Sequence, residues 1–104
     1  MIARLALAVL LTTLLAPLAA AVEDPPPEIL EGNRMLARGQ YEEALEYYRT
    51  AVRHSPRLVN GHLMLAQTFI LVGQPDSAAV SARNVLEFDP TNEAAQRMLI
   101  DLIR

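Results

Sequence analysis

The residues of this sequence that could carry chemistry are two histidines, a run of glutamates and a few serines. His54 and His62 are the only histidines, and the chain has no cysteine. A zinc ion needs several nitrogen, sulfur or carboxylate ligands, and no carboxylate stands at a ligand-like spacing from both imidazoles. We therefore predict no metal site and no bound cofactor, and expect both histidines to serve in packing or at helix ends.

Acid–base and nucleophilic catalysis are also unsupported by the spacing of the polar residues. Segment 41–49, YEEALEYYR, carries three glutamates, which on a solvated helix face pair with arginines three positions away, as Glu46 can with Arg49. Glycosidase-type carboxylate pairs need a cleft that so small a chain does not readily form. No base stands at an informative spacing from the serines Ser55, Ser77 and Ser81. We predict no catalytic residues and no enzymatic activity.

The charge balance limits the class of partner. The chain carries 9 Lys+Arg against 12 Asp+Glu, a net charge of −3, with no basic run. Nucleic-acid affinity depends mainly on cationic contacts to phosphate, so nucleic acid is not an expected partner. The same balance gives no reason to expect binding to an anionic membrane surface.

Residues 1–21 have the composition of an export signal. Arg4 provides a positive start, an apolar core covers 5–15, and 19–21 are three alanines suited to signal peptidase. The alternative is a retained membrane anchor, because the uncharged run is barely long enough to cross a bilayer, but Pro17 interrupts it. We predict a cleavable signal peptide, no membrane association after cleavage, and a periplasmic or secreted mature protein.

The rest of the chain is expected to be all-α. Residues 22–27 form a proline-rich spacer, because consecutive prolines restrict one another to extended geometry. From 28 to 104, apolar residues recur at helical spacing in five segments, with no alternation long enough to predict a strand. Pro27 and Pro75 suit the first turns of helices, and Asn92 suits an N-cap.

A fixed period joins these segments. Equivalent residues stand 34 positions apart in the pairs Gly39 and Gly73, Ala44 and Ala78, Arg49 and Arg83, and Pro56 and Pro90. A period of this length, with two helices in each period, is typical of a helical repeat array. Such repeats bury their apolar faces only by stacking on one another.

The residues within the period resemble the tetratricopeptide repeat (TPR) family. In the first repeat, about 25–58, the matching residues are Gly32, Gly39, Tyr41, Ala44, Tyr48, Ala51 and Pro56. In the second, about 59–92, they are Leu65, Ala66, Phe69, Gly73, Ala78 and Pro90. The departures from the family pattern are Glu28, Glu31, Pro75, Ala82 and Val85. The resemblance implies a short α-solenoid of two helix-turn-helix repeats followed by a capping helix, 93–104, within a TPR domain spanning 28–104.

The physical roles of the repeated residues agree with this resemblance. Ala44 and Ala78 allow close helix approach, and Tyr48 is expected to fill the gap toward a neighbouring helix. Gly39 and Gly73 supply the backbone freedom that a tight turn needs. The repeated prolines stop the second helix of each repeat.

The resemblance also implies a binding surface on the concave side, formed by the first helix of each repeat. The residues that it assigns there are Asn33, Leu36, Leu63, Gln67, Ile70, Arg97 and Asp101. The polar members Asn33, Gln67 and Asp101 stand 34 apart, and an amide can both donate to and accept from a peptide backbone. The alternative interpretation is that these are simply exposed polar positions. The basic clamp with which some members hold a carboxylate is not reproduced.

The C-terminal segment suggests a second contact surface. Residues 98–103, MLIDLI, are apolar on more than one face. We expect Leu99, Ile103 and Ile100 to pack inward and Met98 and Leu102 to form an oligomer or docking face. The alternative is that the helix tips to bury most of these residues and leaves a modest patch.

Taken together, the sequence predicts an exported, non-enzymatic module that binds a protein or peptide partner through its concave face. Two alternatives stay open at this point. One is a self-assembling structural subunit that forms homo-oligomers. The other is a membrane-tethered adaptor, if the N-terminal segment is retained.

Overall fold

The computed structural model describes residues 24–103, which form five α-helices and no strand. The helices are α1 Pro27–Ala37, α2 Tyr41–His54, α3 Val59–Leu71, α4 Pro75–Phe88 and α5 Glu93–Ile103. The predicted all-α fold is therefore confirmed. The predicted signal peptide, 1–21, and the start of the spacer lie outside the described residues. None of the helices in the described part of the chain is long and apolar enough to cross a membrane.

The helices pack in chain order. α1 lies against α2, α3 against α4, and the two pairs meet where α2 contacts α3. α5 then packs on α4. This is the arrangement of two stacked helical hairpins followed by one further helix, in which each unit contacts its neighbours.

The turns within the two hairpins have the same geometry. Gly39 and Gly73 adopt φ values of 74° and 76°, in the left-handed region. In each turn the residue after the glycine donates its N–H to a carbonyl in the last turn of the preceding helix: Gln40 to Met35 at 2.8 Å, and Gln74 to Phe69 at 2.8 Å. This Schellman arrangement explains why glycine recurs at this position of the period.

The helix boundaries follow from local chemistry. Pro27 and Pro75 lie in the first turns of α1 and α4, as predicted. α2 and α4 both end two residues before a proline, Pro56 and Pro90. The predicted cap of α5 is confirmed, because Asn92 Oδ1 accepts the backbone N–H of the third helical residue at 2.9 Å.

The core is built from small residues at helix crossings and a few large side chains. The fully buried alanines are Ala44, Ala51, Ala66, Ala78, Ala82 and Ala95. Tyr48 is also fully buried and lies against Gly32, where a Cβ atom would be only 2.7 Å from the tyrosine Cδ1. The predicted roles of Ala44, Ala78 and Tyr48 in close packing are confirmed.

Candidate functional site

A shallow depression lies between α3 and α5, the first helices of successive units. Its volume is about 280 Å³, and the residues that line it are Gln67, Ile70, Ala94, Arg97, Met98 and Asp101. Ile70 is 43% exposed, whereas Met98 is half-buried and packs against the core. We call this depression the α3–α5 groove.

Four of the predicted concave residues meet in the α3–α5 groove. Gln67 and Asp101 lie at equivalent positions of successive first helices, so stacking brings them to the same side. Ile70 is one turn from Gln67, and Arg97 is one turn from Asp101. Residues three or four apart share a helix face, which explains why the pairs converge. The resemblance assigned all four residues to the concave side, and the period placed Gln67 and Asp101 in one row.

Asn33, the third polar residue of the predicted row, does not line the α3–α5 groove. Its side-chain Oδ1 accepts a hydrogen bond from the Tyr48 hydroxyl at 2.6 Å. This bond gives the buried tyrosine the partner that a buried polar group needs. Asn33 therefore has a structural contact of its own, whether or not it also touches a ligand.

The two predicted leucines do not line the groove either. Leu36 is half-buried and packs against the core cluster that contains Tyr48 and Ala44. Leu63 is also half-buried and packs against the second core cluster, which contains Val85. Both side chains thus contribute to the stacking of the helices.

The expected orientation of α5 is wrong. Met98 and Leu102, predicted to face away from the array, pack against the core, whereas Ile100 and Ile103 are 56% and 82% exposed. The reason is the fully buried Ala95, which brings α5 close to α4. Ala95, Met98, Leu99 and Leu102 follow the spacing of one helix face, and the small alanine selects that face for packing.

Arg97 places a positive charge in the lining of the α3–α5 groove. Glu93 and Asp101 lie one turn to either side of it on α5. Within residues 24–103, Arg97 makes no ion pair within 4.0 Å. The guanidinium is thus available to an anionic group, while Asp101 offers an acceptor close by.

The histidines have structural contacts. His62 is buried, with its ring centroid 5.6 Å from that of Phe88 and its Nε2 2.8 Å from the Pro56 carbonyl oxygen. His54, in the last turn of α2, places Nδ1 3.3 Å from a Glu28 carboxylate oxygen. These contacts confirm the predicted packing and helix-end roles. In the part of the chain that the structure describes, no cluster of His, Asp and Glu is arranged to hold a metal ion.

Stacked helix pairs with a constant period define a helical repeat protein. A family model described as tetratricopeptide repeat matches residues 35–102, well over half of the chain. The chain belongs to the tetratricopeptide repeat family, and the resemblance noted from its residues is confirmed.

The chain is also similar to two curated proteins, one of which carries the name of this family. The chain is 36% identical over 72 residues, 69% of its length, to tetratricopeptide repeat protein 21A of Mus musculus. It is 38% identical over 63 residues, 61% of its length, to the uncharacterized protein ycf37 of Cyanophora paradoxa. The matches span 6% of the mouse protein and 37% of the Cyanophora paradoxa protein.

Sequence reasoning missed two features of the structure. Ala94 and Met98 complete the lining of the groove, although neither follows the polar period. The hydrogen bond between Tyr48 and Asn33 joins residues 15 positions apart. A signal for it exists in the sequence, because a buried tyrosine hydroxyl requires a polar neighbour.

Proposed function

We propose that this chain is a non-enzymatic protein–protein interaction module that holds an extended segment of a protein partner in the α3–α5 groove. The family supports an interaction role in general. The observation that carries the specific proposal is the convergence of Gln67, Ile70, Arg97 and Asp101 on one depression.

The shape of the groove favours side chains of a peptide over a buried small molecule. It is a shallow depression of about 280 Å³, whereas a small-molecule pocket is a concave cleft that buries most of its ligand. Ile70 and Met98 provide an apolar surface that suits an aliphatic side chain of the ligand. This surface lies beside polar and charged groups that can fix a peptide in place.

The polar groups define how the backbone and flanking residues of a ligand would bind. The Gln67 amide can donate to and accept from one peptide unit. Arg97 can pair with an acidic ligand side chain, and Asp101 can accept from a ligand donor. The preferred ligand is therefore an extended segment with an aliphatic residue next to an acidic one.

The test of the groove is photo-crosslinking in the native cell. A photoreactive amino acid at Ile70, 43% exposed in the groove, is compared with the same group at Val80, 54% exposed on α4. We expect a specific protein adduct from position 70 and none from position 80. The captured protein is then titrated against the Gln67→Ala, Arg97→Ala double variant, which should bind it at least about tenfold more weakly, equivalent to about 1.4 kcal/mol.

Asn33 is left intact in this design because its contact with Tyr48 is structural. The control is the melting temperature of the double variant, which should equal that of the unchanged chain because both side chains are exposed. Adducts from position 80 alone, or full binding by the double variant, would move the site away from the groove.

We further propose that the module works in the bacterial cell envelope, in the periplasm or as a secreted protein. The support is the arginine, apolar core and three alanines of residues 1–21. The mature N-terminus should be Val22, measured by intact mass. Ala21→Trp should leave an uncleaved precursor at the membrane, and an uncleaved natural chain in the cytoplasm would end this part of the proposal.

A further inference from the structure

α5 carries a second surface, which adjoins the α3–α5 groove at Arg97. We call Gln96, Ile100 and Ile103 the outer face of α5. Ile100 is 56% exposed and Ile103 is 82% exposed, the highest value among the exposed large apolar residues of 24–103. A second depression of about 410 Å³, lined by Glu93, Gln96, Arg97 and Ile100, lies along this face.

The equivalent faces of the two earlier first helices are covered. Thirty-four positions before the outer face of α5 lie His62, Ala66 and Phe69, all buried. Their cover is α4, since Phe88 lies on the His62 ring and Ala78 belongs to the same core cluster as Phe69.

The first repeat shows the same arrangement one period earlier. Gly32 lies against Tyr48 of α2, and Glu28 contacts His54 at the end of α2. The start of the first helix thus meets the end of the second, so the covering helix runs antiparallel to the helix that it covers. The period places Gln96 opposite the end of such a helix and Ile100 opposite its middle.

At each of the two internal interfaces, at least one of the facing residues is small. In the first repeat the smallest residue, Gly32, accommodates the large Tyr48. In the second, Ala66 and the equivalent of Tyr48, Ala82, are both small and both fully buried. In the third unit, which begins with α5, the equivalent residue of the first helix is the larger Ile100. A helix that packs here at the same distance must therefore have glycine or alanine opposite Ile100.

We propose that the outer face of α5 binds one amphipathic helix of a partner protein, antiparallel to α5, with small residues opposite Ile103 and Ile100. Within the chain, the two residues of the second helix at the equivalent positions are four apart. They are Ala44 and Tyr48 in α2 and Ala78 and Ala82 in α4. The small residues of the partner helix should therefore also be four apart. The α4 pair, alanine at both positions, already satisfies the size requirement.

The probe is a synthetic helix with the α4 sequence, residues 75–88, constrained into helical form through its exposed positions. Its helicity is checked by circular dichroism before use, because short free helices are marginal in water. Fluorescence anisotropy measures its binding to the full chain. A second probe carries leucine at the position of Ala82 and should bind at least about tenfold more weakly, since its larger side chain meets Ile100.

The matched chain variants are Ile100→Glu and Val80→Glu. Both replace an exposed apolar side chain of similar exposure, 56% and 54%, with the same charged one. We expect Ile100→Glu to weaken probe binding at least about tenfold and Val80→Glu to leave it unchanged, because only Ile100 lies on the proposed face. The helix content of both variants should match that of the unchanged chain.

Three results would overturn the proposal. They are equal effects of the two chain variants, equal binding of the two probes, and no binding of the verified helical probe at millimolar concentration. Self-association of the chain that Ile100→Glu abolishes, without probe binding, would assign the face to a second copy instead. Gln67 lines the α3–α5 groove and not the second depression, whereas Ile100 lines the second depression and not the groove. Comparing Gln67→Ala with Ile100→Glu therefore separates failure of the groove proposal from failure of this one.

Discussion

Tyr48 lies at the centre of the first repeat, with its ring against Gly32 and its hydroxyl donating to Asn33 Oδ1 at 2.6 Å. The side chain is fully buried, so it has no free space into which to move. One side chain of α2 therefore contacts two neighbouring residues of α1. This arrangement makes the first-repeat hairpin sensitive to single-atom changes at residues 32, 33 and 48.

At this residue scale, Gly32→Ala should destabilise the protein. Helix propensity alone predicts a gain of about 1 kcal/mol for Gly→Ala in a helix. The added Cβ would instead overlap the Tyr48 ring, and such overpacking costs about 1–3 kcal/mol. Urea unfolding measures the change in free energy.

The control for this prediction is the same change in a Tyr48→Leu background. The ring that the new Cβ overlaps is then absent, so Gly32→Ala should cost less than in the natural chain. Equal costs in both backgrounds would show that the ring is not the source of the strain.

Burial also raises the pKa of the Tyr48 hydroxyl above the ordinary tyrosine value. The stabilisation linked to this shift is therefore complete below the ordinary tyrosine pKa of about 10 and is lost as the pH rises through the higher pKa of the folded state. We expect the melting temperature to fall as the pH is raised above about 10.

Tyr48→Phe tests the origin of this alkaline loss, because phenylalanine cannot ionise. The variant should lose part of the pH dependence of the melting temperature. A pH dependence identical to that of the unchanged chain would contradict the assignment to Tyr48.

At the scale of the elements, α5 has the weakest support within the described chain. Its main packing partner is one helix, α4, and one of its faces is open to solvent. Its start, however, is held by a side-chain cap, whereas α1 to α4 have no side-chain cap hydrogen bond. Asn92 also donates through Nδ2 to Asp89 Oδ2 at 3.1 Å, which ties the cap to the end of α4.

Asn92→Ala should therefore loosen α5 before the rest of the array. Loss of an N-cap costs about 1 kcal/mol, and local opening responds to it directly because a terminal helix opens on its own. Native-state hydrogen exchange should accelerate at the amides of α5 and much less at those of α2 and α3. Thr91→Ala, at the exposed neighbouring position, serves as the control and should leave exchange unchanged.

At the scale of the whole molecule, stability is shared among interfaces between consecutive helices. Each helix pair packs mainly on its neighbours, so every interface contributes a large part of the total free energy of unfolding. A domain of this size has little stability to spare. Damage at one crossing should therefore affect the complete array.

Ala44→Leu tests this dependence at the crossing of α1 and α2. Ala44 is fully buried, and overpacking such a site costs about 1–3 kcal/mol. The melting temperature should fall, while Glu43→Leu, at the exposed neighbouring position, should cause little change. Equal melting temperatures for the two variants would show that the packed face of α2 is assigned incorrectly.

Sequence alone determined the features that depend on local chemistry and on the period. Gly39 and Gly73 mark the two hairpin turns because glycine most readily adopts the positive φ found there. Asn92 marks the start of α5 because its side chain can satisfy a free helix N–H. The 34-residue period then predicted which residues share a face. Gln67 and Asp101 are one period apart, and both line the α3–α5 groove.

Only the tertiary structure decided the rotation of α5 and the partners of individual side chains. MLIDLI is apolar on several faces, so the sequence pattern does not select one; the close approach at Ala95 turns Met98 and Leu102 inward and leaves Ile100 exposed. Asn33 likewise keeps its periodic position yet bonds to Tyr48. The physical reason is the same in both cases. Helix rotation and long-range hydrogen bonds depend on which surfaces meet, and a period along the chain does not contain that information.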